Sequence, residues 1–195
     1  MKLIALLSGV ILSLPAYVSA ESETDDKGWF VGAAIGATSY SETEHIRDDS
    51  DSFLSLNGGY RFGHYFAIQG GYFSLGEYAG DEDVLISEAF EGINITAVGI
   101  YPLEKMGLDL FGRAGLGRMR YEQSFDFLGS TSENTSTGDV LVTSLGVAFS
   151  PFGVDSIDIS VAYENYFFKT NKVYVEAKSQ SHTIGVAAVG AKYSF

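Results

Sequence analysis

Eight stretches in which apolar residues alternate with polar or small ones run through this chain. The last is Gly185-Val186-Ala187-Ala188-Val189-Gly190-Ala191-Lys192-Tyr193-Ser194-Phe195. A period of two puts Ala187, Val189, Ala191 and Tyr193 on one face of a strand and Ala188, Gly190, Lys192 and Ser194 on the other. Such a segment belongs in a sheet whose two faces meet different surroundings. Turn signals delimit the strands as Gly28 to Tyr40, Ser52 to Phe62, Tyr65 to Glu77, Ser87 to Tyr101, Gly107 to Tyr121, Val140 to Ser150, Ser156 to Lys169 and Ser181 to Phe195. Long polar connections follow the odd strands (Ser41 to Asp51, Tyr78 to Ile86, Glu122 to Asp139, Thr170 to Gln180). Tight turns follow the even ones (Gly63-His64, Pro102 to Met106, Pro151 to Asp155). The fold expected is all-β: an eight-stranded antiparallel up-and-down barrel with long connections at one end and short ones at the other.

The beginning of the chain bears on compartment. Lys2, an apolar run from Leu3 to Leu14, Pro15 and the small-residue site Val18-Ser19-Ala20 have the three-part layout of a secretory signal peptide, with cleavage after Ala20. The run is too short for a membrane-crossing helix, which needs roughly 20 apolar residues. The expected organisation is a signal peptide over 1–20, a short segment over 21–27 and a barrel over 28–195. Removing the leader takes one lysine, leaving 11 basic and 25 acidic residues and a net charge of −14. Nucleic acid is therefore not an expected partner. There is no cysteine, so an exported domain of this size must be held by a large sheet or a closed barrel. If the mature chain crosses a bilayer, it does so as a barrel, which satisfies every backbone group internally.

Parity alone does not say which face of the barrel points inward. In the second strand Leu54, Leu56, Gly58, Tyr60 and Phe62 alternate with Ser55, Asn57, Gly59 and Arg61. In the seventh, Ile157, Ile159, Val161 and Tyr163 alternate with Asp158, Ser160, Ala162 and Glu164. Three features favour a lipid-facing apolar side. Aromatics on that side gather near strand ends (Trp29, Tyr60, Phe62, Tyr101, Phe149, Tyr193, Phe195), as membrane girdles do. The other side is rich in glycine, alanine and serine, which suits the narrow lumen of eight strands. Its charges also cancel: Arg61, Arg113 and Lys192 against Asp109, Asp158 and Glu164. A solvated face of so acidic a chain would be negative, so the balance points to a paired lumen network. Lys192 with Asp158 and Arg113 with Glu164 are the expected pairs.

Arg118 and Arg120 share parity with the apolar Leu108, Leu110, Ala114 and Leu116. At about 3.4 Å per residue and a tilt of about 40°, ten residues above Leu108 is roughly 26 Å, just beyond an apolar band about 25 Å tall. These arginines, with Lys169 and Lys172, are candidates for lipopolysaccharide phosphates at the outer rim.

Signals for catalysis are weak. Gly112-Arg113-Ala114-Gly115-Leu116-Gly117 has the glycines of a nucleotide loop but lies in an alternating strand with no helix after it. Asn94-Ile95-Thr96 and Asn134-Thr135-Ser136 match the glycosylation sequon, which means little in a chain of bacterial type. His45, His64 and His182 fall on a long loop, a short turn and the outer end of the last strand, where a solvated rim histidine is the simplest reading. Outer-membrane lipid A deacylases use a histidine and a serine on the barrel wall, yet Ser181-His182-Thr183 has no acidic partner at matching spacing. The acidic residues of the first loop (Glu42, Glu44, Asp48, Asp49, Asp51) and second loop (Asp81, Glu82, Asp83) lack calcium-loop spacing and read as solvated surface. The fourth loop is basic, with Lys169, Lys172 and Lys178. No catalytic residue, metal or cofactor is expected.

With its leader, eight-strand plan, charged lumen and terminal Ala191-Lys192-Tyr193-Ser194-Phe195, the chain resembles the small outer-membrane β-barrel superfamily. Within it the likeness is to OmpA-like transmembrane domains and their OmpX/Ail-like relatives, and it covers Gly28 to Phe195. The resemblance implies a transmembrane barrel in the outer membrane of a Gram-negative cell, with short periplasmic turns and external loops. Its partners would be outer-membrane lipid, lipopolysaccharide and, during biogenesis, the barrel assembly machinery. Tyr193 and Phe195 would then be the C-terminal assembly signal. No peptidoglycan-binding domain is implied, and so no cell-wall anchoring. The function expected is non-enzymatic, contributing to envelope integrity or surface interaction through loops whose ligand the sequence does not name. Alternatives are a narrow OmpW-like channel for small solutes, a lipid A-modifying enzyme and a soluble lipocalin-type barrel.

Overall fold

The computed structural model describes residues 27–40, 51–79, 85–127, 130–151, 154, 156–171 and 179–195. The leader, most of the two acidic loops, His45, Lys172 and Lys178 lie outside them. Eight strands form: β1 (Lys27–Tyr40), β2 (Ser52–Phe62), β3 (Phe66–Ala79), β4 (Leu85–Leu103), β5 (Leu108–Phe127), β6 (Ser130–Phe149), β7 (Ile157–Asn171) and β8 (Ser179–Ser194). They pair in sequence order, all antiparallel, and β8 closes on β1 to make a barrel.

The ladder fixes the barrel's geometry. Starting at Trp29, register partners run through Tyr60, Ile68, Ala97, Ala114, Thr143, Asn165 and Gly185 and return to β1 at Ser39, a stagger of ten residues. With about 3.4 Å per residue and about 4.8 Å between strands, that stagger tilts the strands by about 40° and gives a backbone radius of about 8 Å. Such a lumen is filled by side chains pointing inward.

The strand count, order and parity agree with the sequence reading, and the longest connection does not. Glu122 to Asp139, expected as a loop, continues the β5–β6 ladder through Glu122↔Thr135 and Ser124↔Glu133 to Phe127↔Ser130. The reason is local: Ser130-Thr131-Ser132-Glu133-Asn134-Thr135-Ser136-Thr137 is polar at every position. Beyond an apolar band both faces of a hairpin meet water, so alternation disappears while backbone pairing and threonine's β-propensity persist. The ladders also run beyond the expected strand ends elsewhere: β3 extends to Ala79, β4 starts at Leu85, β7 reaches Asn171 and β8 starts at Ser179. At the other end β4 reaches Leu103, and a 3-10 turn over Glu104–Met106 leads to Gly107 at φ +62°.

Asp51, expected as part of a solvated acidic surface, instead ties three strands together. Its backbone carbonyl accepts from Thr38 N (2.8 Å) and Thr38 Oγ1 (3.0 Å), its own N–H donates to Thr38 Oγ1 (3.0 Å), and its carboxylate accepts the Glu77 N–H. The β3–β4 register shifts between Ser74 and Glu77, and there Gly76 takes φ +86°. A side chain at position 76 would be strained by that φ and would also meet the Asp51 carboxyl carbon at 2.7 Å.

Candidate functional site in the barrel interior

The six charged residues expected on one face all point inward and are buried. Four of them lie in a layer near the short turns. Lys192 Nζ stands 2.9 Å from Asp158 Oδ2 and 5.3 Å from the centre of the Phe30 ring, while Ser150 Oγ donates to Asp158 Oδ1 at 2.7 Å. Arg61 and Asp109 act electrostatically on the same lysine. Arg61 also donates from Nε to the Gly63 carbonyl and from Nη2 to the His64 carbonyl, both at 2.7 Å, which fastens the β2–β3 turn beneath the barrel.

The other two meet at mid-height. Arg113 Nη2 donates to Glu164 Oε1, and Tyr166 Oη donates to Glu164 Oε2 at 2.9 Å. Both carboxylate oxygens are thus held, and Glu164 is only 2% exposed. Gln69, Thr96, Ser144 and Ser160 are also buried and face the lumen.

Above this level the interior is mostly aromatic and aliphatic, with Ser55, Thr38 and His182 buried among the rings, which the sequence reading did not anticipate. Phe53, Phe73, Tyr78, Phe90, Met119, Tyr166, Phe168 and Ile184 are buried there. Tyr166 connects the two zones, since its hydroxyl serves Glu164 while its ring packs on Phe73 (4.8 Å) and Phe53 (6.1 Å). Phe90 gathers Tyr78, Tyr121 and Phe168 at 5.8, 5.1 and 5.3 Å. His182 is not a solvated rim residue: it is 5% exposed and stacks on Phe168 at 5.4 Å, inside the wall. The signal for this cap lay in neighbouring glycines. In the register, Phe73 of the cap is opposite Gly92 and, below the Arg113 level, Phe111 is opposite Gly146 in the same way; a β-carbon on either glycine would stand 2.7 or 2.2 Å from the facing ring. A glycine beside each large ring is what a narrow barrel needs to fit it.

The outer surface carries the remaining candidates. Trp29, Phe62, Tyr65, Phe66, Tyr101, Phe149, Tyr193 and Phe195 are exposed near the short-turn end. Trp29, Tyr60, Phe62 and Phe66 follow one another at 5.2, 5.0 and 5.8 Å, and Tyr193 meets Phe195 edge-on at 5.1 Å. Phe195 N donates to the Trp29 carbonyl at 3.0 Å and Ser194 N to the Ser156 carbonyl at 2.9 Å, so the end of β8 is joined to the wall on both sides. Arg118, Arg120 and Lys169 point outward near the long-loop end. Arg120 lies between two carboxylates, contacting Glu91 at 3.5 Å and pairing directly with Glu122. Arg118 is opposite Asp139 in the register. Lys172 is outside the described residues. Among the described residues no group of histidine and acidic side chains converges as a metal-ligand set.

A family model for the OmpA-like transmembrane domain matches residues 24–195. Among solved structures, Neisserial surface protein A (NspA) is 17% identical, covering 86% of this chain and 97% of that one with a TM-score of 0.58. OprG from Pseudomonas aeruginosa is 12% identical, covering 86% and 96%, also with a TM-score of 0.58. Ail, the attachment invasion locus protein of Yersinia pestis, in complex with the heparin analogue sucrose octasulfate, is 18% identical, covering 87% and 97% with a TM-score of 0.53. At these identities the structural likeness is one of fold. A search of curated proteins found no match.

Proposed function

Because this chain belongs to the family of OmpA-like transmembrane domains and is an outer-membrane barrel, we propose that it works as a non-enzymatic, plugged post that supports the envelope and presents its long-loop end at the cell surface. The observation that carries this reading is the filled interior, an ion-paired base beneath an aromatic cap. A water column would have to displace both. Length supports the surface role: β4, β5 and β6 have 19, 20 and 20 residues, whereas a tilted strand crosses a bilayer in about 9–11. The excess raises the β5–β6 hairpin well clear of the membrane.

Ail was solved with a heparin analogue, but a chain with a net charge of −13 is poorly matched to a sulfated polyanion. A neutral or cationic surface partner fits better. Lipopolysaccharide phosphates remain proposed contacts of Arg118, Arg120, Lys169 and Lys172, with Lys169 and Arg118 the stronger members because Arg120 is already paired. Tyr193 and Phe195 remain the proposed assembly signal. The test is twofold. Planar-bilayer recordings should show no unitary steps, and intact cells should admit labelling of a cysteine placed at Asn134. Steady conductance, or a label that reaches Asn134 only after lysis, would overturn the reading.

A further inference from the structure

Among the described residues, the outward charges at the long-loop end lie on one side of the barrel. The stagger of ten residues over eight strands fixes their height. Arg118, Arg120 and Glu122 of β5, Glu91 of β4, Asp139 of β6 and Lys169 of β7 fall about 23–34 Å above Trp29, around the upper edge of an apolar band about 25 Å tall. Arg118, Arg120, Asp139 and Lys169 are exposed, and the side chains of Glu91 and Glu122 are 41% and 43% exposed. At the same height on β8, β1 and β2 the outward residues are Thr183, Ser39 and Ser52, which carry no charge.

These charges separate into two poles. On β3 to β5, Arg120 contacts Glu91 at 3.5 Å and pairs with Glu122, while Tyr72 Oη donates to Glu91 Oε2 at 2.8 Å. The exposed Glu77 stands one strand away, so this pole carries an excess of carboxylate. On β5 to β7, Arg118 is opposite Asp139 in the register, and Lys169 lies one residue beyond the last β6–β7 rung, Val140↔Phe168, beside the same aspartate. Two cations there flank one carboxylate. Among the described residues Arg118, Asp139 and Lys169 form no ion pair, although they are near neighbours. A self-satisfied surface network would close those contacts, as Arg120 does. Arg118 and Arg120 are two residues apart on β5, which sets the poles about 7 Å from each other.

We propose that this side of the rim binds lipid A whose phosphate carries an amine substituent, the phosphate oxygens meeting Arg118 and Lys169 and the ammonium meeting Glu91 and Glu122. This rests on the reading that these cations contact lipopolysaccharide, and it narrows that contact to one form of the head group. Three considerations select the form. The poles lie at head-group height on the lipid-facing wall, so the occupant is the head of a lipid in the outer leaflet. An excess of cation beside an excess of carboxylate matches a ligand that carries both signs on a short linker, through charge-assisted hydrogen bonds. The carboxylates also act against unsubstituted phosphate, because four of them (Glu77, Glu91, Glu122, Asp139) accompany three cations and leave this side with a net charge of −1.

The test uses the full barrel in phosphatidylcholine nanodiscs with EDTA present, read by native mass spectrometry, with lipid A and phosphoethanolamine-substituted lipid A as competing probes. The substituted form should bind about ten-fold more tightly, the equivalent of one charge-assisted hydrogen bond. Glu91→Gln with Glu122→Gln alters only outward side chains, and heat-modifiable migration checks that the barrel forms. That variant should lose the preference, because the substituted form is weakened and the released Arg120 strengthens the unsubstituted one. Arg118→Gln with Lys169→Gln should weaken both probes. Equal binding of the two probes to the parent would overturn the proposal and leave the broader lipopolysaccharide contact standing, whereas binding of neither would remove both. A preference that reverses when calcium replaces EDTA would mean that the carboxylates hold a divalent cation against phosphate, and would overturn it as well. Phosphatidylethanolamine competing as well as the substituted lipid A would assign the rim to any phosphate–ammonium head group and overturn the choice of lipid A.

Discussion

Replacing Glu164 with leucine leaves the Arg113 guanidinium buried with its carboxylate partner gone. The structure sets the size of the effect. Both carboxylate oxygens are engaged, by Arg113 and by Tyr166, and Glu164 is 2% and Arg113 5% exposed, so water cannot take over the lost bonds. Breaking a buried pair from one side costs about 3–5 kcal/mol, because the remaining charge is uncompensated. Exchanging both partners for apolar side chains of similar size, Arg113→Met with Glu164→Leu, removes the charge and the desolvation together and is often neutral or stabilising by about 1–4 kcal/mol. The assay is reversible unfolding in urea from lipid vesicles, read by the single tryptophan, Trp29, which is 66% exposed on the outer wall and passes from lipid to water on unfolding. With a slope of about 2 kcal/mol per molar urea, a loss of about 4 kcal/mol moves the midpoint down by about 2 M. The double variant should recover to no more than about 0.5 M below the parent midpoint, or exceed it by up to about 2 M. If Glu164→Leu shifts the midpoint by less than about 0.5 M, or if the double variant falls as far as the single one, Arg113 and Glu164 are not a buried, mutually compensating pair.

Three further outcomes follow from other parts of the wall. Phe195→Ala should lower the yield of heat-modifiable barrel in the outer membrane several-fold while leaving refolding of the purified chain intact; equal losses in both would assign Phe195 to stability rather than to assembly. Asp51→Ala removes the acceptor of the Glu77 N–H and should cost about 1–2 kcal/mol, with faster amide exchange at Glu77 as the local readout. Replacing Arg118, Arg120, Lys169 and Lys172 together with glutamine should reduce co-purified lipopolysaccharide, and Arg120→Gln alone should contribute least, because Glu91 and Glu122 already offset its charge.

Where the sequence could be read, one solvent contrast was acting on each strand. Leu54, Leu56, Tyr60 and Phe62 against Ser55, Asn57 and Arg61 is legible because lipid lies on one side of that segment and a packed lumen on the other. Above the apolar band the contrast changes form. The Ser130 to Thr137 segment is polar at every position and so shows no alternation, and Thr135, Ser136 and Thr137 are exposed in turn, so its strand character rests on cross-strand pairing that a single strand does not display. The aromatic cap was hidden for the opposite reason. Phe53, Phe73, Phe90 and Phe168 share parity with lumen residues, yet Leu54, Tyr72 and Phe167 beside them are apolar as well, so both faces look alike. The contact of Asp51 with Gly76 and Glu77 spans 26 residues and depends on a bulge, which leaves no periodic trace.

The aromatic cap and the short β1–β2 ladder are linked through β2. A strand with only three rungs to β1 is also held by eight rungs to β3, by the bonds of Asp51 to Thr38 and Glu77, and by Phe53 packed across the lumen on Tyr166 of β7. Tyr166 is thus the residue through which the far wall secures β2. Tyr166→Phe keeps the ring and deletes the hydroxyl that serves Glu164, so it should cost about 1–2 kcal/mol and leave β2 in place. Tyr166→Ala deletes the ring as well, with a loss of about 3–5 kcal/mol and a cavity beside Phe53 and Phe73. The distinguishing measurement is amide exchange resolved by strand. Tyr166→Ala should accelerate exchange in β2 more than in β5 or β6, which share 19 rungs. Uniform acceleration around the barrel would mean that β2 draws its stability from its ladders alone, and that the short β1–β2 junction is not compensated through the lumen.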